Sequence, residues 1–492
     1  MVYLSLRINC SKRRSNMNRD KRIEHDLLGE REILDTCYYG IQTLRATENF
    51  KISGTTISMY PLFVHSLAYI KKAAAMANNK LGLLPGSIIE AVSKACDGIL
   101  SGKLHDQFVV DMIQGGAGTS TNMNANEVIA NFALEIMGYE KGRYDIVHPN
   151  NHVNMCQSTN DVYPTAIRLA LILKIRTLLE AMQCLYNAFE EKSIEFMDII
   201  KMGRTQLQDA VPMTLGQEFS AYAVMIAEDI ERLKEAEALV HEINLGATAI
   251  GTGINAHPDY SRLAILNLRK LTGIEFQASP NLIEATQDSG VYVQLSGVLK
   301  RVAVKLSKIC NDLRLLSSGP RCGFNEIHLP PMAPGSTIMP GKVNPIIPEV
   351  VNQIAFSVIG NDMTITMAAE AGQLELNVME PIIAFSLFNS LVFLRQGCFT
   401  LADRCVKGIT ANREQCRQNV ECSIGLATAL NPYIGYEKST EVAREALETN
   451  RSVYEIVLEK GYLAKEKLDE ILAPENMIKQ TQISEVRLKK SD

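Results

Sequence analysis

No CxxC pair occurs in this chain, and its eleven cysteines are an odd number, scattered from end to end. A disulfide framework is therefore not expected. Free, mostly buried thiols in a reducing cytosol are. No run of eighteen uncharged apolar residues occurs either, so no membrane-spanning helix is expected. Long blocks of one charge are missing, and the formal net charge is only −5 over 492 residues. That balance excludes nucleic acid or an anionic membrane as the main partner. Internal repeats and low-complexity tracts are also missing, and strand signals are sparse.

What the chain does have is apolar residues, 46% of the total, enough for a large core. Long helical patterns run over about 162–198, 213–242, 286–318, 348–371 and 381–409. In the third, Leu295, Val298, Val302, Leu306, Ile309, Leu313 and Leu316 follow one another at steps of three and four, the spacing of a helix seam. Five such rods can bury their stripes only against each other, so a helical bundle is expected. VYPTAIRLALILKIRTLLEAM and PIIAFSLFNSLVFL are apolar over most of their circumference. Several rods of that kind call for association with further copies of the chain. Around this bundle, residues 19–156 read as a mixed, mostly helical domain, 157–411 as the bundle domain and 412–492 as a small helical domain. Residues 1–18 are basic and without acid. They read as a disordered extension, or as lying upstream of a start at Met17, better than as a transit peptide.

Three polar segments precede apolar helical text: GGAGTSTNMNANE from Gly115, QSTNDVYPT from Gln157 and GRTQLQDAVPMTLGQE from Gly203. Each alone reads as N-cap chemistry, with Thr214 as the cap in the third. Together they offer hydroxyls and amides at helix N-termini, where unpaired N–H groups favour anions. The loop GSTIMPGKVNP, residues 335–345, adds a cation, Lys342, and a donor, Asn344. If these pieces converge, they form a site rich in donors, poor in carboxylates and without metal ligands, suited to a small dianion or trianion. GATAIGTG, residues 246–253, imitates a phosphate loop, but no strand precedes it and no Lys-Ser/Thr follows. His148 and His152 are separated by Pro149 and are not expected to bind metal.

These blocks resemble, in order, the conserved motifs of the fumarase/aspartase superfamily, whose GSSxMPxKxNP loop is matched by GSTIMPGKVNP. The likeness runs from about Arg22 to the end of the chain. HPNNHVNMCQSTNDVYPTA, KICNDLRLLSSGPR and KVNPIIPEVVNQ resemble the branch that eliminates ammonia from L-aspartate to give fumarate. The resemblance implies a mainly α fold of three domains with a central five-helix bundle. It also implies a cytoplasmic homotetramer with a twenty-helix core, whose active sites are each shared between subunits. The small-molecule partners it implies are L-aspartate, fumarate and ammonium, with no cofactor and no metal. By matching position, Ser336 is the base that removes a proton beside the β-carboxylate, giving a carbanion or aci-carboxylate. Thr119, Ser158 and Thr159 hold the β-carboxylate. Thr205, Lys342 and Asn344 hold the α-carboxylate. Asn160, with Thr119 and Ser158, surrounds the leaving ammonium. Gln206, Thr337 and Glu349 stand nearby as supporting residues: Gln206 replaces a histidine, and Thr337 a second serine, found in many relatives. The alternatives are a fumarate hydratase, another lyase of the superfamily, or a structural protein derived from one.

Overall fold

The structure, a computed structural model, describes residues 21–478. The reading of residues 1–18 lies outside them. The described residues form 17 α-helices and four two-stranded sheets. Contacts divide the chain into two compact units. One takes residues up to 170, 241–288 and 372–382; the other takes 171–240, 289–371 and the chain from 383 onward.

The first unit opens with an antiparallel hairpin, β1 (Lys21–Asp26) and β2 (Gly29–Leu34). Then come α1 (Ile41–Asn49), α2 (Pro61–Lys80), α3 (Gly86–Leu100) and α4 (Thr119–Ile136). The alanine-rich stretch of α2 is almost wholly buried, and small side chains there let α3 and the helix Tyr260–Thr272 pack against it. The N-terminus of α1 is held by Glu127 of α4, whose carboxylate accepts the backbone N–H groups of Gly40, Gln42 and Thr43. A carboxylate suits the positive end of a helix. α5 (Thr159–Glu195) begins in this unit and runs on into the second. Its 37 residues span about 55 Å.

The second unit carries a hairpin, β3 (Ile200–Thr205) and β4 (Gln208–Thr214), then α6 (Leu215–Val240), α7 (Gly290–Leu316), α8 (Ile346–Glu370) and α9, which starts in the first unit (Glu380–Arg404). With α5 these are the five expected rods. Phe189 of α5 meets Phe219 and Tyr222 of α6. Asp229 of α6 pairs with Arg301 and Lys305 of α7. Asn352 of α8 donates to Ser307 of α7, and Asn361 of α8 to Ser390 of α9. The seam on α7 departs from expectation at one place: Val298 is half-buried, and Leu299 beside it takes the interior position. α9 is long and apolar enough to cross a membrane by length and composition. Its Ile383, Leu387, Phe388, Leu391 and Leu394 are nevertheless buried among neighbouring helices.

Thr214 caps α6 as expected: its hydroxyl accepts from Gln217 N, and the Gln217 side chain accepts from Thr214 N, both at 3.0 Å. The segment ahead of it was not expected to be a hairpin. Gln206 and Leu207 both take positive φ (54° and 64°) and close its tip. Five helices between Arg413 and Ile471 form a separate core with Met202 of β3, built on Leu430, Val442, Val457 and Leu468.

Candidate active site

In the first unit the N-termini of α4 and α5 lie side by side. The turn before α4 uses left-handed backbone at Gly116, Ala117 and Gly118. A Cβ on Gly118 would lie 2.5 Å from the Tyr163 ring, so glycine there lets α4 approach the first turns of α5. Both helices start earlier than their sequences suggest. Thr119–Asn122 and Thr159–Asp161 are themselves the first helical turns, and most of their backbone N–H groups are already taken: Thr119 N by Gly116 O, Thr121 N by Gln114 Oε1, Asn122 N by Gly118 O and Asp161 N by Ser158 O. Thr119 is exposed, Ser158 and Asn160 are half-buried, and Thr159 is buried. The Ser158 hydroxyl oxygen accepts from Asn160 N at 3.2 Å.

Asp161 locks this corner. Its carboxylate accepts the backbone N–H of Ser158 (3.0 Å), Gly246 (3.0 Å) and Thr248 (3.1 Å). Burial lifts its carboxyl to about 6, and these donors pull the other way. The GATAIGTG segment is therefore a platform under α5, not a phosphate loop. Asn160 is tied to the same platform: its Nδ2 donates to Ala249 O at 2.7 Å. Its carbonyl accepts Asn244 Nδ2 at 3.0 Å, which is open to it because Pro164, four residues on, has no N–H to give. The Asn160 Oδ1 makes no hydrogen bond among the described residues and is left as an acceptor for a cationic N–H.

In the second unit the 335–345 loop is pinched at its base. Gly335 N donates to Lys342 O at 2.7 Å, and Asn344 Nδ2 donates to Gly335 O at 2.8 Å. A Cβ on Gly335 would lie 2.6 Å from Lys342 O, so this glycine serves close approach rather than looseness. Inside the ring, Ser336 Oγ accepts the backbone N–H of Ile338 (3.2 Å) and Met339 (2.9 Å). Thr337 and Lys342 are exposed, and Lys342 forms no ion pair among the described residues. Behind the loop, Lys342 and Asn344 face a cleft of about 510 Å³ shared with Arg314, His328, Ser317 and Ser318; no carboxylate lines it. Glu349 is exposed in the first turn of α8.

Thr205 and Gln206 sit at the exposed tip of the β3–β4 hairpin, ten and nine residues before α6, and not at its N-terminus as expected. No hydrogen bond joins them to the loop among the described residues. The structure thus gathers Ser158, Thr159 and Asn160 beside the α4 terminus in one unit, and Ser336, Lys342 and Asn344 in one loop of the other. It also gives particular parts to Asp161 and Asn122, which the sequence offers only as members of the polar clusters, and to Asn244 and Lys71, which it does not single out. Asp161 stood in plain sight after Asn160, but two of its three partners, Gly246 and Thr248, are 85 and 87 residues away in sequence. No group of three or more His, Cys, Asp or Glu side chains is placed to hold a metal ion among the described residues. His148 and His152 instead close a short π-helical turn, in which Pro149 fits at the first position. His148 N donates to His152 Nδ1, and His148 Nδ1 accepts from Asn150 N and Asn151 N.

Hydroxyls and amides at helix termini, with a lysine and a donor-held serine in one loop, suit the binding of a small anion, and the family comparison places the chain among the lyases. Residues 29–360 match the family described as "Lyase", and residues 426–479 match "Fumarase C C-terminus". The chain belongs to the fumarase/aspartase superfamily. It is 60% identical to an aspartate ammonia-lyase of Helicobacter pylori over 93% of its own length and 98% of the relative's. It is 54% identical to that of Escherichia coli over 94% and 97%. Among solved structures it resembles one described as fumarate lyase:delta crystallin from Brucella melitensis bound to cobalt, with a TM-score of 0.92 and 55% identity over 94% of this chain and all of that one. It also resembles a class II fumarase from Schistosoma mansoni, with a TM-score of 0.89 and 37% identity over 93% and 99%.

Proposed function

We propose that this chain eliminates ammonia reversibly from L-aspartate to give fumarate, working as a homotetramer with sites shared between subunits. The observation that carries the reading is the setting of Ser336. Two backbone N–H dipoles aim at its hydroxyl oxygen, and Lys342 stands in the same loop. A neutral serine is a poor base, but an alkoxide held by fixed donors is a strong one. It takes the proton from the carbon beside the β-carboxylate, and the electron pair moves into that carboxylate. The doubly charged intermediate needs donors, which Thr119, Ser158 and Thr159 offer. The pair then returns to form the C=C bond as the C–N bond breaks. Asn160 Oδ1 accepts from the departing ammonium, together with Thr119 and Ser158. Lys342, Asn344 and Thr205 hold the α-carboxylate. Closure of the loop over the substrate removes water from around the base.

The relatives' names and their 54–61% identity favour ammonia as the leaving group. Gln206 agrees, since it cannot titrate and so cannot shuttle protons to or from water. Association is supported by α8, whose Val350, Phe356, Ile359, Met363 and Met367 form a stripe exposed in the single chain, with Phe356, Met363 and Met367 each more than 60% exposed. A cytoplasmic setting suits the ten described cysteines, all free thiols. The deciding experiment adds L-aspartate or L-malate separately and follows fumarate by ultraviolet absorbance. Fumarate from L-aspartate is the expected result; fumarate from L-malate alone would make the chain a hydratase.

A further inference from the structure

Behind the Ser158–Asn160 turn runs a line of amides, buried at Asn122 and Asn126 and half-buried at Asn154 and Gln157, that ends on a buried lysine. Lys71 of α2 has no solvent exposure, and its Nζ donates to Asn154 Oδ1 at 2.8 Å and to Gln157 Oε1 at 2.9 Å. Asn154 Oδ1 also accepts the Nδ2 groups of Asn122 (3.1 Å) and Asn126 (3.2 Å). Asn122, 2% exposed, gives its other amide hydrogen to Thr159 Oγ1 at 3.2 Å.

The direction of each of these bonds is set by the one before it. A lysine ammonium has hydrogens only to give. It therefore turns the Asn154 side-chain oxygen toward itself. That oxygen faces Asn122, so Asn122 must present nitrogen; flipped, its Oδ1 would oppose Asn154 Oδ1, acceptor against acceptor. With nitrogen outward, Asn122 donates to Thr159. A hydroxyl has one hydrogen, and Thr159, already accepting on this side, keeps it for another partner. Even as a neutral amine, Lys71 retains two hydrogens for the two oxygens it serves.

We infer that Lys71, Asn154 and Asn122 are positioning residues that set the polarity of the Thr159 hydroxyl, so that its hydrogen is reserved for the substrate carboxylate. The inference rests on the function proposed above and adds to it: none of the three touches substrate, yet all three govern how one binding hydroxyl meets it. Without the relay, Thr159 is free to turn its hydrogen inward and meet the carboxylate with a lone pair.

The test is a double-mutant cycle on the full-length enzyme, read as KM for L-aspartate, kcat, and competitive inhibition by succinate. Asn122→Ala is expected to raise KM and the succinate inhibition constant about tenfold, the scale of one hydrogen bond to a charged group, and to lower kcat as well, because the same hydroxyl donates to the intermediate. Thr159→Val is expected to do at least as much. In the Thr159→Val background, Asn122→Ala is expected to add nothing, because the hydroxyl it orients is gone. Asn126→Ala removes a donor to the same Asn154 oxygen without touching Thr159, and its KM is expected to stay within twofold. Effects of Asn122→Ala and Thr159→Val that multiply, or an Asn126→Ala effect equal to that of Asn122→Ala, would overturn the inference. Asn122→Ser runs the same cycle if the alanine variant does not accumulate folded. Should the wild type release no ammonia from L-aspartate, the functional reading fails. The relay is then judged by succinate binding in calorimetry across the same variants, and a wild type that binds no succinate sinks both.

Discussion

The side-chain oxygen of Ser336 accepts the backbone N–H of Met339 at 2.9 Å, and that of Ile338 completes the pair at 3.2 Å. Neither donor needs to move for the serine to become charged, so the arrangement lowers the cost of forming the alkoxide before substrate arrives. Ser336→Ala removes the oxygen and leaves both donors. Turnover of L-aspartate is expected to fall by at least about 100-fold, in the range general-base catalysis contributes, with KM little changed. Steady-state fumarate formation measures both. A variant retaining near-normal turnover would remove Ser336 from the mechanism.

The geometry of the pinch gives a second expectation. Gly335 has no room for a Cβ, which would sit 2.6 Å from Lys342 O and 2.8 Å from Asn344 N. Both are backbone atoms of the loop's other strand and cannot step aside without opening the ring. Gly335→Ala is expected to reduce kcat/KM more than tenfold while the thermal midpoint of the protein stays within a few degrees, because the loop is at the surface and buries no core. A normal kcat/KM in this variant would show that the ring's closure is irrelevant to activity.

Lys342 projects from the same loop into solvent, without an ion pair among the described residues and beside a cleft that holds Arg314 and His328 but no carboxylate. A lysine left unpaired in such a place is ready for an anion. Lys342→Met keeps most of the stem and deletes the charge. Substrate KM is expected to rise and kcat to fall together, for a combined loss in kcat/KM of about 100-fold, the scale of a charge-assisted hydrogen bond to a carboxylate. Kinetics at two ionic strengths check it. Unchanged constants would exclude Lys342 from the substrate's surroundings.

The five rods were legible because their stripes repeat over 25 residues and more, long enough for periodicity to override single exceptions such as Val298. The hairpin carrying Thr205 and Gln206 was not, since RTQLQD has no Asn-Gly or Asp-Gly turn; two non-glycine residues accept positive φ instead. The loop at 335–345 announced its chemistry through Lys342, Asn344 and its two glycines, but the use of Ser336 Oγ as an acceptor is a matter of backbone geometry that composition cannot state. Lys71 was invisible for a plainer reason. It lies in a helix of alanines next to another lysine, and its partners stand more than 80 residues away. Contacts between distant, individually ordinary polar residues leave no local pattern.

A last expectation concerns Glu380, which opens α9 only 7% exposed. Burial lifts its carboxyl to about 8, with the Arg168 guanidinium pulling the other way. In the unfolded chain the same group titrates near 4.5. Between those values the folded protein keeps a proton that the unfolded chain has released. Unfolding therefore releases a proton, and the contribution of Glu380 to stability falls as pH rises from about 4.5 to about 8, levelling off above. Glu380→Gln keeps the shape and removes the titration. Its stability relative to wild type is expected to rise steadily with pH across that window, little different at pH 5 and clearly ahead at pH 8.5. Urea midpoints of both proteins at pH 5, 6.5 and 8.5 measure this difference directly, free of the other groups that titrate in common. A difference that stays flat from pH 5 to pH 8.5 would mean that Glu380 is already ionised in the folded protein across this window and that Arg168 outweighs burial.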